Sequence, residues 1–240
     1  MAPRSKLIGK THILYDAELG GKVTDEWFDL CYWQRRDALI GSARGRGTTW
    51  FVRADSVDLV VRHYRRGGVL APMWRDRYPW VGLSRTRAWR EWHLLATLQQ
   101  RDLPVPQPVA ARVIREGLFY TADIITCRLP DCRPLADMLS EAPLPAFVWQ
   151  AVGACVGRFH DEQLYHADLN AANILLDQPD HVYLVDFDRA RFRIPGRWCA
   201  ANLSRLRRSL NKFAGMYTRF YFSDEDWEAL LAGYSRKRPQ

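Results

Sequence analysis

Along this chain, short runs of β-branched and aromatic residues give way to apolar residues spaced at helical intervals, and the change divides it into two parts. The runs TTWFV (48–52) and VDLVVRHY (57–64) predict two strands, preceded by a glycine-rich stretch at 41–47. Residues 84–100 place Ala88, Trp92 and Leu95 at helical spacing, with Glu91 beside the apolar stripe. The prolines at 104, 106 and 108 must end that helix, and 109–114 and 118–126 then predict two further strands. Pro130 and Pro134 mark a break. Beyond it Val148, Val152, Val156 and Phe159 recur at steps of four or three. Leu203, Leu206, Leu210, Phe213 and Tyr217 form a second helical stripe, flanked by Arg205, Arg207, Arg208 and Lys212. Residues 33–37 are compatible with a helix, and those before about 30 carry few signals. Strands first and helices afterwards predict an α+β fold with segregated lobes, about 1–127 and 135–240, joined by a hinge at about 127–134.

Composition narrows the function classes. At 240 residues with 48% hydrophobic and 26% charged positions, the chain excludes a disordered tail, a collagen-like repeat and a disulfide mini-protein. Lys plus Arg number 35 against 27 for Asp plus Glu, a net charge of +8 that favours phosphates, nucleic acid or an acidic membrane face. On charge alone, a solvated basic surface fits equally well. The five cysteines (31, 127, 132, 155 and 199) are odd in number and form no C-x-x-C pair. That argues for free thiols in a reducing compartment and against zinc or a disulfide framework. The N-terminal segment has basic residues but no signal-peptide core, and no window approaches the roughly 18 apolar residues of a membrane span. The expectation is a cytosolic protein, or one bound to a cytoplasmic membrane surface.

Chemistry concentrates in YHADLNAANILLD (165–177) and VYLVDFD (182–188). Phosphoryl transfer needs a carboxylate near the acceptor hydroxyl, ligands for Mg²⁺ and cations over the phosphates. His166-x-Asp168-x4-Asn173 places an Asp and an Asn on one loop, and two neighbouring strands would bring Asn173 and Asp186 together as oxygen ligands for Mg²⁺. Asp168 then faces the acceptor. The pattern is similar to the protein-kinase catalytic loop followed by DFG. Five matched positions recur by chance on the order of 10⁻⁷ per start point. Ala167 stands where regulated protein kinases carry an Arg, Asp188 replaces the last Gly of DFG, and no A-P-E follows. These departures point to a small-molecule or glycolipid acceptor. The chain also has no lysine between Lys22 and Lys212. Arg62 is the only aligned cation for the phosphates, and Glu91 is either its partner or a solvated residue on a helix face. Gly45 and Gly47 belong either to a loop over the nucleotide phosphates or to a tight hairpin.

The stretches GRGTTWFV, VVRHYRRGG, DRYPWVGLSRTRAWREWHLLATL, LPVPQPVAARV, HADLNAANILLD, VYLVDFDRAR and NLSRLRRSLNKF together resemble the 3-deoxy-D-manno-octulosonic acid (Kdo) kinases, the lipopolysaccharide kinase family of Gram-negative bacteria. The resemblance runs from about Gly45 to Phe213. It implies a two-lobed, protein-kinase-like fold with ATP and Mg²⁺ in the interlobe cleft. The implied reaction phosphorylates the 4-hydroxyl of Kdo on a lipid A precursor, at the cytoplasmic face of the inner membrane. It assigns Asp168 as the catalytic residue and Asn173 and Asp186 as metal ligands. Arg65 and Arg66 are candidates for the Kdo carboxylate or a lipid A phosphate, and the basic stripe at 203–217 either lies on an anionic membrane or packs into the helical lobe. The rivals are a kinase of the same fold acting on a core heptose or an aminoglycoside, a non-catalytic binder of membrane or nucleic acid, and a pseudokinase. The intact Asp168, Asn173 and Asp186 count against nucleic-acid binding as the function. The oligomeric state is left open.

Overall fold

Strands that bury one face against a shared core build the first part of the molecule. The computed structural model describes residues 2–19, 21–44, 48–65, 76–178, 180–194 and 196–235. They fall into two units, residues 1–97 with 106–128 and residues 98–105 with 129–240.

The first unit carries β1 (Pro3–Ile8), β2 (Thr11–Asp16), α1 (Leu30–Gln34), β3 (Leu39–Arg44), β4 (Thr48–Ala54), β5 (Val57–His63), β6 (Tyr78–Pro79), α2 (Arg87–Gln100), β7 (Pro108–Glu116) and β8 (Phe119–Cys127). The strands form one sheet in the order β1-β2-β7-β8-β5-β4-β3, with β6 pairing β8, and every pairing is antiparallel. Ile13, Val52, Leu59, Val61 and Ile125 pack with Phe28 and Trp33 in one buried cluster. Because side chains alternate across a strand, Arg62 lies on the face opposite Val61 and His63.

Three features of this unit differ from the sequence expectation. The hairpin β1–β2 was invisible among the first 30 residues, although Gly9-Lys10 is a two-residue turn with Gly9 at φ +60 and Ile8 paired to Thr11. Gly41, expected in a loop, sits in β3 opposite Phe51. Gly45 and Gly47 lie outside the described residues. The short helix α1 begins earlier than residue 33, because Asp29 caps it by accepting from the Cys31 N–H at 3.0 Å, and Asp37 at φ 53 lies past its end.

The second unit holds β9 (Arg133–Pro134), α3 (Leu135–Glu141), α4 (Ala146–Asp161), β10 (Leu164–Tyr165), β11 (Ile174–Gln178), β12 (His181–Leu184), β13 (Arg191–Phe192), α5 (Trp198–Ala214) and α6 (Asp224–Ser235). Strands β12-β11-β9 form one small sheet and β10-β13 another. The stripe Val148, Val152, Val156 and Phe159 on α4 is buried as its spacing predicts, and so are Leu206 and Leu210 on α5. Tyr217 lies past the end of α5, which stops at Ala214. Helix α6 was not foreseen. Its N-terminus carries a readable capping box, with Asp226 Oδ2 accepting from the Ser223 N–H (2.9 Å) and Ser223 Oγ accepting from the Asp226 N–H (3.3 Å).

Helices α4 and α6 touch backbone to backbone. A Cβ on Gly233 would lie 2.0 Å from the Gln150 carbonyl oxygen, and one on Gly153 would lie 1.9 Å from that of Leu230. Replacing Gly233 with Ala must therefore separate the helices, at about 2–3 kcal/mol. The expected fall in melting temperature is roughly 5–10 °C by calorimetry. Gly215→Ala, whose Cβ would meet nothing closer than 3.6 Å, should change it little.

His160 sits where α4, α5 and α6 meet, 5.0 Å from the Trp198 ring and with Nδ1 2.9 Å from the Tyr234 hydroxyl. Burial pushes its pKa down from 6.5 to about 4. The unfolded chain takes up this proton near 6.5 and the folded protein only near 4, so stability is lost as pH falls through that window. Chemical denaturation at pH 7 and pH 4.5 should show up to about 3 kcal/mol of loss from this group. His160→Gln should flatten that part of the slope.

Candidate active site

The segment from β10 to Asp186 is a run of short elements held by its own polar side chains. After β10 the chain passes through Asp168 into a 3-10 turn, Ala171–Asn173, and directly into β11. Asn170 caps that turn, its Oδ1 accepting from the N–H groups of Ala172 (2.9 Å) and Asn173 (3.2 Å). The side-chain amides of Asn170 and Asn173 both donate to the Asp168 carbonyl oxygen at 2.9 Å. The backbone at Asp168 is thus clamped by two asparagines, while its half-buried carboxylate stays accessible.

His166 ties this loop to the approach of Asp186. Its Nδ1 accepts from the Asp168 N–H (3.3 Å), and its Nε2 lies 3.0 Å from the Val185 carbonyl oxygen. An acceptor at Nδ1 requires the proton on Nε2, which then donates to Val185. Burial disfavours the charged ring and pushes its pKa down, consistent with that neutral tautomer. The Val185 N–H donates to the Asn173 carbonyl oxygen at 3.0 Å, so Asn173 and the residue before Asp186 are direct neighbours. Asp186 holds φ 66, a left-handed backbone that is uncommon for a residue with a side chain. Next to it, Phe187 is buried, with its ring 5.0 Å from His166 and 5.9 Å from Phe159.

Helix α5 braces the same loop from three positions. Asn202 Nδ2 donates to the His166 carbonyl oxygen (3.0 Å), Ser209 Oγ accepts from the Ala171 N–H (3.0 Å), and Arg205 Nη1 lies 3.9 Å from Asp168 Oδ1. Motif spacing within 166–173 reveals none of these partners. The spacing 202, 205, 209 on one helix face is the signal that carries them.

The first unit holds a second polar cluster. Arg62 pairs with Glu91, whose other oxygen accepts from the Tyr64 hydroxyl at 2.5 Å. Glu91 is 3% exposed, so its charge depends on these partners. The Arg62 guanidinium lies 4.9 Å from the Tyr64 ring centre, and that of Arg87 lies 5.4 Å from it on the same cluster. Burial, followed by the Glu91 charge, raises the Tyr64 pKa. On the other face of β5, His63 Nδ1 is 2.6 Å from Asp123 Oδ1, and Arg112 Nε donates to Asp123 Oδ2 at 2.9 Å. Arg65 joins these residues around a cavity of about 310 Å³, and Arg66 lies outside the described residues.

The structure therefore brings Asp168, Asn173 and Asp186 together in the second unit and pairs Arg62 with Glu91 in the first. Asn173 donates its amide N–H to the Asp168 carbonyl oxygen, and its Oδ1 remains an oxygen donor. The amide oxygen of Asn173 and the carboxylate of Asp186 are hard oxygen donors of the kind Mg²⁺ takes.

A family model described as "Lipopolysaccharide kinase (Kdo/WaaP) family" matches residues 31–234. A Photobacterium profundum protein named 3-deoxy-D-manno-octulosonic acid kinase is 42% identical over 222 residues, covering 92% of this chain and 94% of its own. A Vibrio parahaemolyticus protein of the same name is 42% identical, covering 93% of each chain. One from Haemophilus influenzae is 39% identical, covering 87% of this chain and 90% of its own. The matched region contains Arg62, Glu91, Asp168, Asn173 and Asp186, and with this extent of similarity the chain belongs to the lipopolysaccharide kinase (Kdo/WaaP) family.

Proposed function

We propose that this protein is an ATP-dependent kinase that phosphorylates the 4-hydroxyl of Kdo on a lipid A precursor during lipopolysaccharide core assembly. Family membership supports the reaction class, and the relatives' names support the acceptor. The observation that carries the mechanism is the clamp on Asp168, a carboxylate whose backbone is held by His166, Asn170 and Asn173. The acceptor hydroxyl donates its hydrogen bond to Asp168, which takes the proton as the sugar oxygen bonds to the γ-phosphorus. The bond from that phosphorus to the β,γ-bridging oxygen breaks, and ADP leaves with the bond's electron pair. Asn173 and Asp186 would hold Mg²⁺, which would neutralise phosphate charge. Arg62, oriented by Glu91, steadies the phosphates, with Gly45 and Gly47 proposed for the loop that covers them.

The substrate is a membrane glycolipid, so the proposed place of action is the cytoplasmic face of the inner membrane, against its anionic surface. Peripheral association is the proposed mode; no helix among the described residues is long and apolar enough to cross a membrane.

Asp168→Asn should lower phosphate transfer by about 10³-fold or more, with ATP affinity within a few-fold of wild type. Mass spectrometry of a Kdo-lipid A precursor incubated with Mg·ATP reads the first, and fluorescence titration of ATP the second. Transfer by the variant at wild-type rate would remove Asp168 from the chemistry.

Arg62→Ala strands the buried Glu91 and removes the proposed phosphate contact. The expected outcome is a KM for ATP raised about tenfold or more, together with a lower melting temperature. Arg62→Lys should restore most of the stability and only part of the ATP affinity, because an ammonium lacks the planar fork.

A further inference from the structure

The four cations flanking the α5 stripe are not equivalent. Arg207 turns toward α6, where its Nη2 donates to Asp224 Oδ1 at 2.7 Å and its guanidinium lies 5.6 Å from the Trp227 ring. At 3.6 residues per turn, Arg205, Arg208 and Lys212 share an arc of about 60° on another side of the helix. Arg205 stands 3.9 Å from Asp168, and Lys212 lies about 10 Å further along the axis. Arg208 and Lys212 are exposed and have no hydrogen-bond or ion-pair partner among the described residues. The loop 166–173 contains no Lys or Arg of its own, so this row brings positive charge to the proposed acceptor position.

The row ends at an apolar surface. Just past α5, the Met216 and Tyr217 N–H groups both donate to the Phe213 carbonyl oxygen, at 2.9 and 3.0 Å, which folds them over the last turn. Met216 is 66% exposed and Tyr217 38%. Phe213, Tyr217 and Phe220 form a ring cluster with centres 5.8 to 6.2 Å apart. Proceeding from Asp168, the surface offers a carboxylate, then three cations, then exposed apolar groups. That sequence matches a ligand with a sugar hydroxyl at one end, anionic groups behind it and acyl chains beyond.

We infer that Arg205, Arg208 and Lys212 are the acceptor-binding row, and that Arg208 and Lys212 engage phosphate groups of the glycolipid while its sugar sits at Asp168. The inference rests on the kinase reading above and adds which residues select the acceptor. Charge-assisted hydrogen bonds in the row act on acceptor binding and leave the nucleotide contacts untouched.

Binding separates this claim from the reaction itself. Titrate the Asp168→Asn protein with a bis-phosphorylated lipid A-type glycolipid in detergent micelles, and with its dephosphorylated form. Protein without further changes should prefer the phosphorylated form by about tenfold or more. Adding Arg208→Gln and Lys212→Gln should abolish that preference and each single change should weaken it, whereas adding Arg207→Gln, which removes one positive charge as each single change does but from the other side of α5, should retain it. In turnover assays on the Asp168 protein, the double variant should raise the KM for the glycolipid with little change in the KM for ATP. Melting temperatures check folding, and the two single variants replace the double one if it unfolds. A preference that survives in the double variant, or is lost equally with Arg207→Gln, overturns the row. A preference that behaves as expected, in a protein that transfers no phosphate to Kdo, overturns the reaction and keeps the row.

Discussion

A buried imidazole with both nitrogens engaged holds the proposed catalytic segment in register. His166 is 2% exposed, and desolvation makes the neutral ring the stable form. Neutrality gives the ring a direction, with an acceptor at Nδ1 for the Asp168 N–H and a donor at Nε2 for the Val185 carbonyl. A protonated ring would present donors on both sides and oppose the Asp168 N–H. The same ring rests against Phe187, so one side chain links the residue proposed as base to both neighbours of the proposed metal ligand Asp186. That linkage helps explain how Asp186 is kept at φ 66, a conformation that costs free energy and persists only where its surroundings over-determine it.

The polar groups around this ring satisfy one another. The carbonyl oxygen of His166 receives Asn202, that of Asp168 receives Asn170 and Asn173, and the Ala171 N–H finds Ser209. Each of these is a backbone group in a segment too short and irregular to bond within a helix or a sheet, so side chains take over that role. Two of the side chains come from α5, which makes the helix a structural part of the loop rather than a neighbour. A helix so engaged has little freedom to turn. The adjoining arc, which runs from Arg205 to Arg208 and Lys212, is therefore presented at a set position relative to Asp168.

Much of this was legible in the sequence, for reasons that differ between elements. The proposed site residues Asp168, Asn173 and Asp186 stand out as candidates because their types and spacing suit phosphoryl transfer, and the spacing is local. The stripes on α2 and α4 were readable because helical periodicity persists over a dozen residues. The hairpin β1–β2 escaped because six-residue strands give only three positions per face, and Leu7 and Ile8 stay exposed on the edge of the sheet. Helix α6 escaped although Ser223 and Asp226 announce its start, and its absence hid the partner of Arg207. Without Asp224 and Trp227 in view, the four cations of α5 look alike. Contacts across long sequence separation, such as Arg205 with Asp168, cannot be paired from the sequence, since the spacing 202, 205, 209 shows a shared helix face but not what it meets.

The proposed use of Arg62 in place of a phosphate-site lysine follows similar logic in the first unit. A carboxylate as buried as Glu91 needs its charge matched at close range, and it takes one donor from Arg62 and another from Tyr64. An ammonium is a compact, strongly hydrated charge, and holding it here would add the cost of stripping its water. A guanidinium is less strongly hydrated and planar, so it can pair with Glu91 along one edge while its face lies near the Tyr64 ring. Arg87 adds a second guanidinium against Tyr64 and donates to the Tyr78 hydroxyl at 2.5 Å. The cluster is thus built for arginine on several sides, which accounts for a chain that keeps the Glu on its helix, places no lysine between positions 22 and 212, and belongs to a kinase family all the same.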